Sequence, residues 1–280
     1  MKIFITGATG YIGQAVAAAL AAAGNEVLAL AHRPGAAEEL RALGWTPVEG
    51  DLRRPETLAA AVASADGAIH TANTNADDAG EADRAAVAAM LGALEGSGKP
   101  FVYTSGVWVL GDTGGEVADE GSSTARALPL VAWRAEVERT VLAAAQRGMG
   151  AVVLRPGIVY GRGGGIPAML SAGKLPVVGD GSQHWTTVHV DDLADLYVLA
   201  LAAPAGTVLH GISGEVTMGE LAAAVGGGEV ERVTVEEARE RLGGFGDALA
   251  LDQRVSAARS REVTGWEPRQ PSILETVTED

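Results

Sequence analysis

Apolar and polar positions along this chain alternate between two rhythms. Short apolar runs rich in β-branched and aromatic residues read as buried strands: Ile3-Phe4-Ile5, then 26–31, 46–49, 67–70, 100–105 and 151–154. Between them lie Ala-rich stretches of helix formers at 14–23, 36–43, onward from Pro55, 85–94 and 130–145. In the last of these, Leu130, Trp133, Val137 and Val141 recur at spacings of three and four and make one apolar face. Strand and helix alternate as far as residue 155, the pattern of a doubly wound parallel sheet in the α/β class.

From Pro156 to Trp185 the alternation lapses, as where a chain leaves its sheet to build a second lobe. It resumes with a strand at 186–190, a helix at 193–201 capped by Asp191-Asp192, and a strand at 207–210 that joins the main sheet. Two Thr-x-x-Glu pairs, Thr217/Glu220 and Thr234/Glu237, are capping boxes that fix later helix starts. The expected organisation is a main domain of residues 1–155 and 186–210 and a smaller C-terminal substrate lobe of residues 156–185 and 211–280.

The first strand runs into Thr6-Gly7-Ala8-Thr9-Gly10-Tyr11-Ile12-Gly13, with glycines every third residue ahead of a helix. Gly7 permits the tight turn, Gly10 leaves room for a pyrophosphate, and Gly13 lets helix and strand pack closely. The helix N-terminus then offers free N–H groups and its positive dipole end to the phosphates. This is a dinucleotide site. At the end of the second strand, where a carboxylate would bind the ribose hydroxyls of NAD, stand His32 and Arg33. That favours NADP, with Arg33 on the 2′-phosphate, and leaves NAD possible. Asp51 is placed to accept from adenine or else to make a turn. Thr71-Ala72-Asn73 are small enough for a cofactor to lie across the fourth strand.

Charge and composition narrow the partners. Hydrophobic content of 47% with 20% charged residues marks a globular chain, and a net charge of −15 argues against nucleic acid and anionic membranes. No cysteine is present, which removes disulfides, thiolate catalysis and Cys-ligated metals. No metal site is expected. With no apolar run of membrane length and a first strand starting at Ile3, we expect no signal peptide and a cytoplasmic protein, monomeric or homodimeric, with a small-molecule substrate. Asp77, Asp78, Glu81 and Asp83 read as a solvated group ahead of a helix, and His70 and His189 as structural histidines. The loop 111–121 reads as a mobile flap or as plain disorder.

With these pieces placed, the chain resembles the extended or atypical short-chain dehydrogenase/reductase family, in its epimerase/dehydratase branch, with a Rossmann sheet. The resemblance rests on Thr6 to Gly13, Gly50-Asp51-Leu52, Ile69-His70-Thr71-Ala72, Phe101 to Gly111, Arg155 to Gly161, His189 to Ala194 and Gly265-Trp266-Glu267-Pro268. It implies cofactor contacts at Thr9, Tyr11, Ile12, Leu52, Arg134, Pro156, Gly157 and Ile158, beside those above. It also implies a tyrosine, a lysine four residues later, and a Ser or Thr at the fifth-strand end. Here those positions hold Leu130, Arg134 and Gly106.

Replacements must therefore come from nearby. Arg134 keeps a positive charge but is a poor proton donor. Ser105 adjoins the vacant position, alternation along the strand favours Thr104, and Tyr160 follows the sixth strand. Trp108, Trp133, His184 and Trp185 either line a pocket or pack. Ile166, Pro167, Met169, Leu170, Leu175, Pro176, Val177 and Val178 make the second lobe apolar, with only Arg162 and Lys174 as nearby cations. The expected activity is an NAD(P)(H)-dependent oxidoreductase or epimerase on a small, fairly apolar carbonyl or hydroxy compound, with a non-standard proton donor. Non-redox isomerase, lyase or cyclase chemistry on the same fold, and a non-catalytic NAD(P)(H) sensor, are the alternatives.

Overall fold

The alternation read from the sequence becomes β1 (Lys2–Thr6), α1 (Tyr11–Ala22), β2 (Glu26–Ala31), α2 (Ala36–Ala42), β3 (Thr46–Glu49), α3 (Pro55–Ala63), β4 (Gly67–His70), α4 (Ala79–Leu94) and β5 (Pro100–Thr104). The chain continues through β6 (Val117–Ala118), α5 (Ala132–Ala145), β7 (Gly150–Pro156), β8 (Ile158–Tyr160), α6 (Gly165–Ser171), β9 (Val177–Val178), β10 (His184–His189), α7 (Val190–Ala200) and β11 (Val208–Gly211). It closes with β12 (Gly214–Thr217), α8 (Met218–Val225), β13 (Arg232–Val233), α9 (Val235–Leu242), α10 (Gly244–Leu249), β14 (Arg254–Val255), α11 (Ala258–Thr264) and α12 (Ile273–Glu279). This computed structural model describes residues 1–173, 175–225 and 231–279. Lys174, named above as a nearby cation, lies outside them.

Seven strands form one sheet in the order β11-β7-β5-β4-β1-β2-β3, each neighbouring pair parallel. Alternating side chains of β1 serve both faces. Ile3 and Ile5 pack with Val16 and Leu20 of α1 and Leu193, Leu196 and Tyr197 of α7. Phe4 packs with Leu58, Val87, Met90, Val137 and Val141 of α3, α4 and α5. The strand order reverses between β1 and β4, and in such sheets ligands bind at the strand C-termini beside that reversal. Gly7 and Thr71-Ala72 stand there.

A third apolar cluster, including Ile158, Tyr160, Leu170, Trp185, Val216, Leu221, Val233 and Leu249, belongs to the later segments. The strand expected at 186–190 is β10. It pairs with β8 and β12 in a separate three-stranded sheet, whereas β11 joins the main one.

Three local expectations are corrected. First, α4 begins at Ala79, so Glu81 and Asp83 lie within it. Asp83 is 3% exposed and not solvated, and Asp78 is ion-paired with Arg53. Second, α7 begins at Val190, and His189 is its cap, accepting the Asp191 N–H through Nδ1. Third, the 111–121 loop is docked. β6 pairs with β14, Gln253 donates to the Val107 and Gly111 carbonyls, and buried Glu120 accepts from Ser260 N–H and Oγ–H. No helix among the described residues is long and apolar enough to cross a membrane.

Candidate functional site

The glycine turn is dictated by crowding. Gly7 has φ of +79°, and a Cβ there would sit 2.7 Å from Thr71 Oγ1 and 2.8 Å from Ala72 N. A Cβ on Gly13 would overlap the Gly7 carbonyl, so α1 seats directly on the turn. The α1 N-cap, Gly10, supplies no side-chain acceptor, and no acidic residue occupies the first turn. The first N–H groups are thus left to an outside anion, which suits a pyrophosphate. Thr71 Oγ1 donates to Thr6 O at 2.7 Å and fixes the β4 end against β1. These residues fit the diphosphate of a dinucleotide.

Tyr11 places its ring against Gly164 and donates its hydroxyl to Gly161 O at 2.7 Å, and burial pushes its phenol pKa up. It ties the cofactor helix to the segment after β8. Asp51 Oδ1 accepts the Arg53 N–H, Leu52 is buried, and the Arg53–Asp78 pair at 2.6 Å joins this loop to the start of α4. Asn73 Oδ1 is taken by the Asn75 N–H. Gly157 is held by packing, since a Cβ there would meet Thr186 O and Ile212. Pro156 ends β7, and Ile158 pairs with Thr187.

His32 and Arg33 are both exposed at the end of β2. Arg33 is not free: its guanidinium forks onto Glu39 at 2.9 and 2.5 Å. A 2′-phosphate would have to share or displace that carboxylate, a partner the sequence reading did not consider.

At the β5 end the two candidate hydroxyls part company. Thr104 Oγ1 lies 2.6 Å from the Tyr197 hydroxyl of α7 and is satisfied. The alternation argument favoured Thr104, but the unpaired hydroxyl belongs to Ser105. Ser105 is held by its N–H to Leu154 O at 2.8 Å, and its buried Oγ has no partner among the described residues. Arg134, from the first turn of α5, donates to Thr104 O at 2.8 Å and more distantly to the Tyr103 hydroxyl at 3.4 Å. Its guanidinium lies 4.4 Å from the Trp133 ring centroid, a cation–π stack, and Trp133 in turn covers Gly80. Leu130, four residues earlier, is exposed beside Gly244.

Tyr160 does not join this group. It is 2% exposed, packs edge-on against His189, and donates its hydroxyl to Pro271 O at 2.8 Å. The other aromatics divide similarly. Trp108 packs on Phe245, Trp185 is core, and His184 Nδ1 contacts Asp252 at 2.9 Å. A groove of about 380 Å³ between Ala19–Ala23, Asp195–Leu199 and Gly265–Arg269 shares no residue with any of these groups.

Two buried polar assemblies escaped the sequence reading. One runs from Thr6 through His70, Asp83 and Tyr103 to Arg134. The other joins Glu138 and Arg155 at 2.9 and 2.6 Å, passes to His210, and reaches Ser260 and Glu120. Burial pushes the His210 imidazole pKa down, with Arg155 acting in the same direction. Its Nδ1 faces Ser256 O at 2.9 Å, so the proton sits there and Nε2 faces Arg155. A charged residue inside an apolar stretch, such as Arg155 after Val152-Val153-Leu154, was the one available signal.

Residues 3–211 match the NAD dependent epimerase/dehydratase family. An uncharacterised protein of Saccharomyces cerevisiae is 32% identical over 99% of this chain and 98% of its own length. The 2-alkyl-3-oxoalkanoate reductase of Stenotrophomonas maltophilia is 30% identical over 89% of this chain and 83% of its own. Among solved structures, the UDP-glucose 4-epimerase of Thermus thermophilus, in complex with NAD, superimposes with a TM-score of 0.80 at 23% identity. It covers 99% of this chain and 97% of that one. A human epimerase family protein with NADPH gives 0.79 at 23% identity, over 100% and 98%.

Proposed function

The chain belongs to the NAD-dependent epimerase/dehydratase family, and on that premise we propose that it is an NADP(H)-dependent reductase of a small, fairly apolar ketone. The observation that carries this reading is the Ser105 hydroxyl, buried and unpartnered at the β5 end, next to a cation anchored on the same strand. When bound, a reduced nicotinamide supplies hydride to the carbonyl carbon. The oxygen that gains the electron pair then needs a hydrogen-bond donor. Ser105 donates that hydrogen bond and passes the proton to the oxygen, with water reprotonating the serine. Arg134 holds the ribose hydroxyls and keeps positive charge beside the developing alkoxide. Leu130 takes no part in proton transfer, and Tyr160 is engaged elsewhere.

The substrate class rests on two supports. The 156–185 segment is largely apolar, with Arg162 and Lys174 as its cations, and feeds the third apolar cluster, which suits alkyl groups better than a sugar diphosphate. A 2-alkyl-3-oxoalkanoate reductase is among the relatives that match along most of their length. The preference for NADP rests on His32 and Arg33 in place of an acidic residue.

Single-turnover absorbance at the reduced-nicotinamide band tests the proposal, with a panel of 2-alkyl-3-oxo acids, small ketones and enones. NADPH oxidation by a β-keto substrate is expected, falling about 10²-fold in Ser105→Ala. Oxidation unchanged in Ser105→Ala would remove the assigned donor. Conversion of a substrate without net NADPH oxidation would replace the reductase reading with an isomerase or lyase.

A further inference from the structure

The chain of buried groups behind Arg134 has a consistent direction. Thr6 Oγ1 receives the Ala72 N–H at 3.3 Å and lies 2.7 Å from His70 Nδ1. His70 Nε2 lies 3.0 Å from Asp83 Oδ1, and the Tyr103 hydroxyl donates to Asp83 Oδ2 at 2.9 Å. A carboxylate only accepts, so His70 carries its proton on Nε2 and takes the Thr6 proton on Nδ1. With its own proton committed to Asp83, the Tyr103 oxygen keeps its lone pairs for Arg134 Nη1. Thr6, His70, Asp83 and Tyr103 are all at most 3% exposed. Asp83 thus accepts from two buried donors, His70 and Tyr103, and the Arg134 guanidinium touches one of those donors directly.

Resting on the cofactor reading above, we propose that Tyr103 and Asp83 are positioning residues, a buried oriented hydroxyl and its counter-charge, that hold Arg134 at the β5 end in the pose that binds the nicotinamide ribose. The long, flexible arginine has two other restraints, Thr104 O and the Trp133 ring, and neither carries a formal negative charge. Asp83 supplies that charge through Tyr103. Burial raises the Tyr103 phenol pKa well above its ordinary value, so it stays a donor to Asp83 throughout the working range. The same chain reaches Thr6, the residue before Gly7, and the β4 loop that crowds Gly7. The guanidinium is therefore braced against the strand that carries the glycine turn, and the pyrophosphate and the nicotinamide ribose of one cofactor are gripped by a single hydrogen-bonded unit.

A double-mutant cycle separates this role from plain packing. NADPH is titrated by tryptophan fluorescence against wild type, Tyr103→Phe, Arg134→Ala and the double variant. Tyr103→Phe should weaken NADPH about tenfold in the wild-type background, the size of one lost hydrogen bond to a charged group, and hardly at all when Arg134 is absent. Equal weakening in both backgrounds overturns the proposal. A second readout needs no cofactor: the guanidinium resonances of Arg134 in ¹⁵N-labelled protein. Separate Nη–H signals in wild type should merge in Tyr103→Phe and in Asp83→Asn, the latter preserving side-chain shape. A guanidinium equally restrained in all three overturns the proposal whatever the cofactor result. If wild type binds neither NADPH nor NADH, the cofactor reading fails, and the resonances still decide whether Tyr103 and Asp83 hold Arg134.

Discussion

Replacing Glu138 with alanine tests the second buried assembly. Glu138 and Arg155 face each other from α5 and β7 at 2.9 and 2.6 Å, with side chains only 3% and 4% exposed. Alanine removes the carboxylate and leaves a guanidinium whose remaining side-chain partner is the neutral His210 Nε2 at 3.4 Å. Breaking one side of a buried pair costs about 3–5 kcal/mol, because the surviving charge is neither solvated nor compensated. Set against a typical folding stability of about 5–15 kcal/mol, that is a large share. The unfolding midpoint should drop by roughly 10 °C, given about 2–4 °C per kcal/mol for chains of somewhat smaller size. Urea unfolding followed by far-UV circular dichroism gives the free energy, and differential scanning calorimetry the midpoint. Glu138→Gln keeps an acceptor and loses the charge, so it should fall between wild type and Glu138→Ala. A loss below about 1 kcal/mol in Glu138→Ala, the range of an exposed ion pair, would refute the buried-charge argument.

Three further outcomes follow from the geometry. Glu39→Gln frees Arg33 from its forked partner and removes an anion beside the expected 2′-phosphate position. NADPH should bind a few-fold more tightly with NADH unchanged, as measured by fluorescence titration, and no change would dissociate Arg33 from cofactor choice. Burial lowers the folded-state pKa of His210 and of His189, so below the ordinary histidine value of about 6.5 the unfolded chain binds more protons. Stability is therefore intact above that pH and declines as pH falls through it, and His210→Gln should flatten the slope of urea-derived stability against pH. Leu130→Tyr places a phenol at an exposed position and should leave the unfolding midpoint nearly unchanged while raising single-turnover NADPH oxidation; a slower rate in a fully folded variant would show that this position faces away from the reacting oxygen.

The sheet and the glycine turn were legible because their causes are local. Short apolar runs, helix formers between them and glycines at a fixed spacing act within a few residues of themselves, and β1 to β5, β7 and β11 lie close to where the pattern put them. What could not be read were partners distant in the chain. Asp83 looked like part of an acidic helix start because Tyr103 and His70 approach it only after folding. The 111–121 loop looked loose because its anchors, Gln253 and Ser260, come about 140 residues later. Arg33 looked available because Glu39 turns back onto it through α2. The choice between Thr104 and Ser105 hung on Tyr197, a residue on another helix whose hydroxyl sequence spacing does not aim anywhere.

The same distinction explains how the proposed reaction site can lose the family's phenol and keep its scaffold. The pyrophosphate turn is fixed by backbone crowding at Gly7 and Gly13, which tolerates no alternative side chain. The β5 end is fixed by polar partners. In the proposed site a guanidinium stands where the family has an ammonium, and its Nη1 donates to Thr104 O and the Tyr103 hydroxyl. A lysine lowers the pKa of a neighbouring phenol; an arginine anchored on backbone has no phenol to serve when residue 130 is leucine. What the site offers an oxygen is therefore a positive charge and a serine hydroxyl. Stabilisation of a developing alkoxide by a preorganised donor and charge, with the proton drawn through Ser105 from water, is the chemistry that such a pair supports.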